Sequence, residues 1–177
     1  FKGHGSQIGS VALSPDGQRI VTGGGAVRFS PDGRFVEPTN EENPTAKVWD
    51  AGGGMEVLTL EGHTDVVSSV DVSADGRLVL SGSFDGTARV WDVRSEREVQ
   101  RVSGSGAASR AVAFLPDGRR FVTGSFDSTA SVWDIASGKE IHKLEGQEGH
   151  TAEIFSVAVS PDGRRIATGS WDGRVKL

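Results

Sequence analysis

Residues 62–92 read GHTDVVSSVDVSADGRLVLSGSFDGTARVWD. Val66 to Val72 is an alternating run around Val70 and Val72, ended by the tight-turn triplet Ala74-Asp75-Gly76. A second apolar run, Arg77 to Leu80, stops at Ser81-Gly82-Ser83-Phe84-Asp85-Gly86. Thr87 to Trp91 alternates as a third strand, and Glu98 to Val102 supplies a fourth. Short runs separated by Gly and Asp turns predict four antiparallel strands in one sheet. Such a sheet is apolar on both faces. It cannot stand alone in water and must stack against copies of itself.

The copies are in the chain. Trp-Asp recurs at 49–50, 91–92 and 133–134, a constant spacing of 42 residues. That period falls in the range of about 40–45 residues expected for a four-stranded repeat unit. A Pro/Ala-Asp-Gly turn recurs at 15–17, 31–33, 74–76, 116–118 and 161–163, and Gly-His at 3–4, 62–63 and 149–150.

Composition agrees and narrows the function classes. The 177 residues include 25 Gly, with 36% hydrophobic and 24% charged residues, which suits one turn-rich folded array over 1–177. The net charge of −5 gives no footprint for a nucleic-acid backbone. The Arg pairs at 119–120 and 164–165 follow turns and read as solvated loop charges. There is no Cys, so disulfides and thiolate metal sites are excluded. Four His residues without carboxylates at ligand spacing predict no metal site, and nothing calls for a cofactor. His142 stands alone and reads as a surface residue. No apolar run approaches the roughly 20 residues of a membrane helix, and no signal peptide is visible. The expectation is a cytoplasmic chain with no membrane partner.

The ordered set Gly-His, Pro-Asp-Gly, Ser/Thr-Gly-Ser, Asp-Gly and Trp-Asp at fixed offsets resembles the WD-repeat β-propeller family over nearly the whole chain. The resemblance implies an all-β fold of four-stranded antiparallel blades, strands a to d, with a nearest the central channel. Four blades are expected, at about 3–60, 62–102, 104–144 and 149–177. The first carries an insertion at 25–43, and the last is incomplete. Propellers have roughly 4–8 blades, and the WD type usually has seven or eight. Four blades therefore read as a half-ring with two open faces that pairs with a second copy into an eight-bladed ring. Phe1-Lys2 aligns with the end of a strand d and would complete the partner's last blade. A fragment of a longer propeller is the rival reading.

The resemblance also implies a hydrogen-bonded His, Ser/Thr, Asp and Trp tetrad inside each blade. The second blade would use His63, Ser81, Asp85 and Trp91. The third has Thr123, Asp127 and Trp133, with Ser105 where His is expected. The fourth has His150, Thr168 and Asp172, and the first has His4, Thr22 and Trp49 with its Asp displaced by the insertion. A Ser-His-Asp set also suggests a hydrolase, but its repetition suits architecture rather than one active site. No catalytic residue is expected. Gly104-Ser105-Gly106 precedes a strand rather than a helix, so it lacks the mechanism of a phosphate loop.

The insertion contains 26–36, AVRFSPDGRFV, which copies 111–122, AVAFLPDGRRFV. Two threadings follow. In the first, strands a and b lie near 8–13 and 18–23 and the copied hairpin is an excursion. In the second, 26–36 supplies those strands, supported by a 17-residue spacing from Asp32 to Trp49 against 16 from Asp75 to Trp91. Pro38 would break the second threading's strand b, which favours the first.

Family propellers are typically protein-interaction platforms. The candidate binding face is Phe84, Phe126 and Trp171, at matching positions in blades two to four, with Arg28 and Phe29 of the insertion. Those aromatics either form a sticky ring on the loop face or pack between blades. The expected partner is an unidentified protein or peptide, besides a second copy of the chain. A structural, recently amplified array and a propeller hydrolase are the alternatives.

Overall fold

The computed structural model of the chain describes residues 3–25, 28–29, 35–36, 44–104, 106–144 and 149–177. The first sheet takes β1 (Ile8–Leu13), β2 (Arg19–Gly24), β5 (Thr45–Asp50) and β6 (Glu56–Leu60), in the order β1-β2-β5-β6. Between them, β3 (Arg28–Phe29) and β4 (Phe35–Val36) form a separate two-stranded ladder. β2 pairs directly with β5, Gly24 opposite Thr45, so the chain leaves the sheet after Gly24 and returns at Thr45. Strands a and b are thus those of the first threading.

The second sheet is β7 (Val67–Val72), β8 (Leu78–Ser83), β9 (Thr87–Asp92) and β10 (Arg97–Ser103). The third is β11 (Ser109–Phe114), β12 (Arg120–Ser125), β13 (Ala130–Asp134) and β14 (Glu140–Leu144). The fourth has three strands, β15 (Ile154–Val159), β16 (Ile166–Ser170) and β17 (Val175–Lys176). Within each sheet, strands adjacent in sequence pair antiparallel, apart from the β3–β4 excursion. These are four blades of a β-propeller.

The turn between the first two strands of each blade explains the repeated Asp-Gly. In blade 2, Asp75 accepts hydrogen bonds from the Ser73 hydroxyl and the Arg77 N–H, while Gly76 takes a φ of +70°. Only glycine adopts that left-handed conformation without a Cβ penalty. Gly17, Gly118 and Gly163 repeat it at φ between +67° and +69°.

Stacking follows one rule. The residues of each blade that face the next blade include a glycine, and the next blade inserts apolar side chains there. A Cβ on Gly23 would lie 2.8 Å from Val67 and 3.0 Å from Val70. On Gly82 it would lie 2.6 Å from Val112, and on Gly124 2.6 Å from Ile154 and 3.1 Å from Val157. Around these contacts lie three cores, one per junction, centred on Val21 and Val79, on Leu80 and Phe121, and on Val122 and Ile154. Among the described residues the two outer faces have no such cover. Ile8, Val11 and Leu13 on β1 are 55%, 64% and 64% exposed, and Val175 on β17 is 77% exposed.

One irregularity recurs. The register between the first two strands shifts by one residue in every blade, between Ile8 and Ser10, Val67 and Ser69, Ser109 and Ala111, and Ile154 and Ser156. The extra residue is Gly9, Ser68, Arg110 or Phe155. A bulge of this kind frees its side chain from the ladder and re-aims it.

Candidate functional site

Blade 2 holds a complete chain of hydrogen bonds. The Trp91 indole N–H donates to Ser81 Oγ at 2.9 Å. Ser81 Oγ lies 2.8 Å from His63 Nε2, and His63 Nδ1 lies 2.8 Å from Asp85. An ionised carboxylate only accepts, so the imidazole proton sits on Nδ1 and a neutral ring accepts the Ser81 O–H at Nε2. Burial pushes the Asp85 carboxyl up. The hydrogen bonds from His63 and the Thr87 hydroxyl outweigh it and hold the group far below the usual carboxylate range. Asp85 also receives the Thr64 N–H and lies 3.9 Å from Arg89, itself buried and paired with Glu98 at 2.9 Å.

Blade 4 repeats this at His150, 2.8 Å from both Asp172 and Thr168. There too burial raises the carboxyl, and the His150 and backbone hydrogen bonds bring Asp172 down to about 2. Blade 1 joins His4 and Trp49 to Thr22 at 2.7 and 2.8 Å. Blade 3 joins Trp133 to Thr123 at 3.0 Å, with Asp127 held by the N–H and hydroxyl of Thr129. Ser105 lies outside the described residues, as do Phe1 and Lys2. Thr123, Thr129, Ser131 and Trp133 help line a pocket of about 220 Å³. Ser109 Oγ, also on that lining, is buried without a hydrogen-bond partner among the described residues.

Ser81, His63 and Asp85 have the distances of a hydrolytic triad. Accessibility separates them from one. Ser81 is 0% exposed and its oxygen already receives the Trp91 N–H. No substrate carbonyl can reach it, so the set clamps strands together. Among the described residues no three His, Asp or Glu side chains gather as metal ligands.

The second site lies on the loops that follow the second strand of each blade. Phe84, Phe126 and Trp171 occupy one register: their N–H groups donate to Val66, Ala108 and Glu153 carbonyls at 3.0 to 3.1 Å. Gly25 has the same place in blade 1, donating to Gln7. Phe84 and Phe126 are half-buried and meet edge to face at 5.4 Å. Trp171 is 74% exposed and stacks on Phe155 at 4.8 Å, and Phe155 also meets Phe126 at 6.3 Å. Two of these rings thus pack across a blade junction, and the third stands in solvent. Arg110 lies over two of the rings, 5.3 Å from the Phe84 centroid and 4.8 Å from that of Phe155. Arg28 and Phe29 lie in β3, but their side chains fall outside the described residues.

Sequence reasoning missed Arg110 and Phe155. Their signal was the break in alternation at the start of each first strand, where the bulge sits. Arg120, read as a loop charge, instead opens β12 and pairs with Asp117 at 2.6 Å.

A stack of antiparallel blades, the first three each closed by a buried Trp–Ser/Thr contact, defines a propeller repeat protein. The model of the WD domain, G-beta repeat family matches residues 1–50, 54–92, 97–134 and 138–177, and the chain belongs to that family. Its relatives include the nuclear distribution protein PAC1 of Coccidioides posadasii (strain C735), 37% identical over 34% of this chain and 14% of that protein. The ribosome biogenesis protein WDR12 homolog of Drosophila persimilis is 36% identical over 48% and 20%. The guanine nucleotide-binding protein subunit beta of Dictyostelium discoideum is 39% identical over 37% and 19%. The matches thus span a fifth or less of each relative's length.

Proposed function

We propose that the chain is a non-catalytic protein-interaction scaffold, and that two copies close one eight-bladed ring. The observation that carries ring closure is the fit of the outer faces. Ile8 and Val11 stand at the register positions where Val67 and Val70, or Ile154 and Val157, enter the preceding blade's glycine. Gly169 is the matching glycine of blade 4, and among the described residues a Cβ there would meet nothing nearer than Ser156 of its own blade at 3.8 Å. The exposed side chains of one end match the empty site of the other. With two copies the two junctions are equivalent, as two-fold symmetry requires. Covering this apolar surface supplies the driving force.

The scaffold reading rests on family membership and on the loop-face aromatics. The relatives are named for nuclear distribution, for ribosome biogenesis and as a guanine nucleotide-binding protein subunit. The acidic balance speaks against nucleic acid as the partner, and the lack of Cys suits a cytoplasmic setting. Light scattering across a dilution series tests closure: a mass near twice 18.6 kDa is expected. A well-folded monomer at micromolar concentration refutes it, whether four blades suffice alone or further blades of a longer parent cover the same faces. A pull-down tests the scaffold role, and its failure favours the purely structural array.

A further inference from the structure

Arg110 is a cation with an unusual setting. Aromatic faces of blades 2 and 4 flank it, with centroids at 5.3 and 4.8 Å, and its guanidinium makes no ion pair or hydrogen bond among the described residues. Rings lying against a guanidinium screen its faces from water and leave its N–H edge as the open side. The bulge in β11 is what turns it out of the ladder. Beside it, Phe155 carries the exposed Trp171. On the loops of blades 2 and 4, Asp85 is committed to His63, and Asp172 to His150 and the Thr151 N–H.

We infer that this strip, Arg110 between Phe84 and Phe155 with Trp171 beside it, binds an acidic side chain of a peptide partner, with an adjacent large apolar side chain on Trp171. The inference rests on the scaffold reading but not on ring closure. A carboxylate matches the planar donor edge of arginine in bidentate geometry. The exposed indole offers apolar area for the neighbour. The overall charge of −5 sets the limit on the partner: it repels a polyanion at long range, so the fit is to one or two acidic residues and not to an acidic run or a nucleic acid.

The test is selection from a library of acetylated, randomised hexapeptides on the full chain, followed by titration of the selected peptides. Enrichment of Asp or Glu next to an aromatic or large aliphatic residue is expected. Arg110→Gln should weaken the selected peptides about tenfold to a hundredfold, as loss of a charge-assisted contact does. Trp171→Ala, at an exposed position that leaves the cores intact, should weaken them as well, and Arg164→Gln, an exposed loop charge, should change nothing. Selected peptides without an acidic residue, or equal binding by Arg110→Gln, overturn the inference while leaving the scaffold reading standing. Failure to select any peptide, together with failure of the pull-down, removes both. Binding of a thymidine 20-mer that depends on Arg110 overturns it in favour of a nucleic-acid partner.

Discussion

Ser81→Ala removes one oxygen and leaves two polar groups without partners. In the folded chain that oxygen accepts the Trp91 N–H at 2.9 Å and donates to His63 Nε2 at 2.8 Å. Ser81 is wholly buried and His63 nearly so, so no water replaces the hydroxyl without an opening of the blade. Each orphaned buried group costs about 1–3 kcal/mol, and the pair therefore about 2–6 kcal/mol. A domain of this size has only about 5–15 kcal/mol to lose. Ser81→Thr restores the hydroxyl, and Thr22, Thr123 and Thr168 already occupy this place in the other blades. Urea unfolding followed by tryptophan fluorescence gives the loss, and hydrogen exchange at the Trp91 indole localises it to blade 2. A loss for Ser81→Ala under about 1 kcal/mol, or an equal loss for Ser81→Thr, would refute the view that this buried chain of bonds holds the blade together.

Acid should unfold the chain through the same carboxylates. Asp85 and Asp172 are depressed in the fold, so their contribution is complete above the unfolded value of about 4 and is lost as pH falls below it. For Asp172 the loss spans about pH 4 to 2, and Asp85 continues lower; the opposite, raised shift of Asp71, caused by burial, offsets part of it. The urea midpoint should drop between pH 5 and 2.5, and Asp85→Asn should flatten that drop; an unchanged slope counts against the assignment. Ser105→His should add the absent imidazole, since 105 precedes Thr123 and Asp127 by the same 18 and 22 residues that separate His63 from Ser81 and Asp85. A gain of about 1 kcal/mol in thermal or urea unfolding is expected, and a loss would show that the third blade is built for another residue. Gly82→Ala, with its Cβ 2.6 Å from Val112, should destabilise by about 1–3 kcal/mol. Gly169→Ala should leave the stability of the single chain within about 0.5 kcal/mol of its starting value but weaken the dimer in light scattering; an intact dimer would count against the paired-ring proposal.

The strands and the interior tetrads were legible because both are fixed by local spacing. A strand alternates every second residue, and the His, Ser/Thr and Asp of a blade meet at constant offsets of 18 and 22 residues. The route around the insertion was legible only through Pro38. Two things were not. The insertion of Val67, Val112 and Ile154 against Gly23, Gly82 and Gly124 joins different blades, and no periodicity within one blade reports a contact with the next. The bulge was hidden for a related reason: one extra residue shifts the alternation by one, so Arg110 and Phe155 read as ordinary strand residues.

That bulge separates the part of each blade that repeats from the part that does not. The side chains repeated from blade to blade are mostly buried and spend their hydrogen bonds on one another, as Trp91, Ser81 and His63 do. At the bulge the four blades carry Gly9, Ser68, Arg110 and Phe155, and on the adjoining loop Gly25, Phe84, Phe126 and Trp171. Ser68 is used internally, donating to the Ser109 carbonyl at 2.8 Å. Among the described residues the side chains of Arg110, Phe155 and Trp171 make ring contacts but no hydrogen bond or ion pair. A frame that must stack identically cannot vary its interior without cost, so variation collects at the one register that the ladder leaves free. Blades 3 and 4 filled that register with a guanidinium and aromatic rings, and blades 1 and 2 filled it with glycine and serine. Recognition of a partner is therefore expected on one side of the arc, across blades 2 to 4, rather than evenly around the channel.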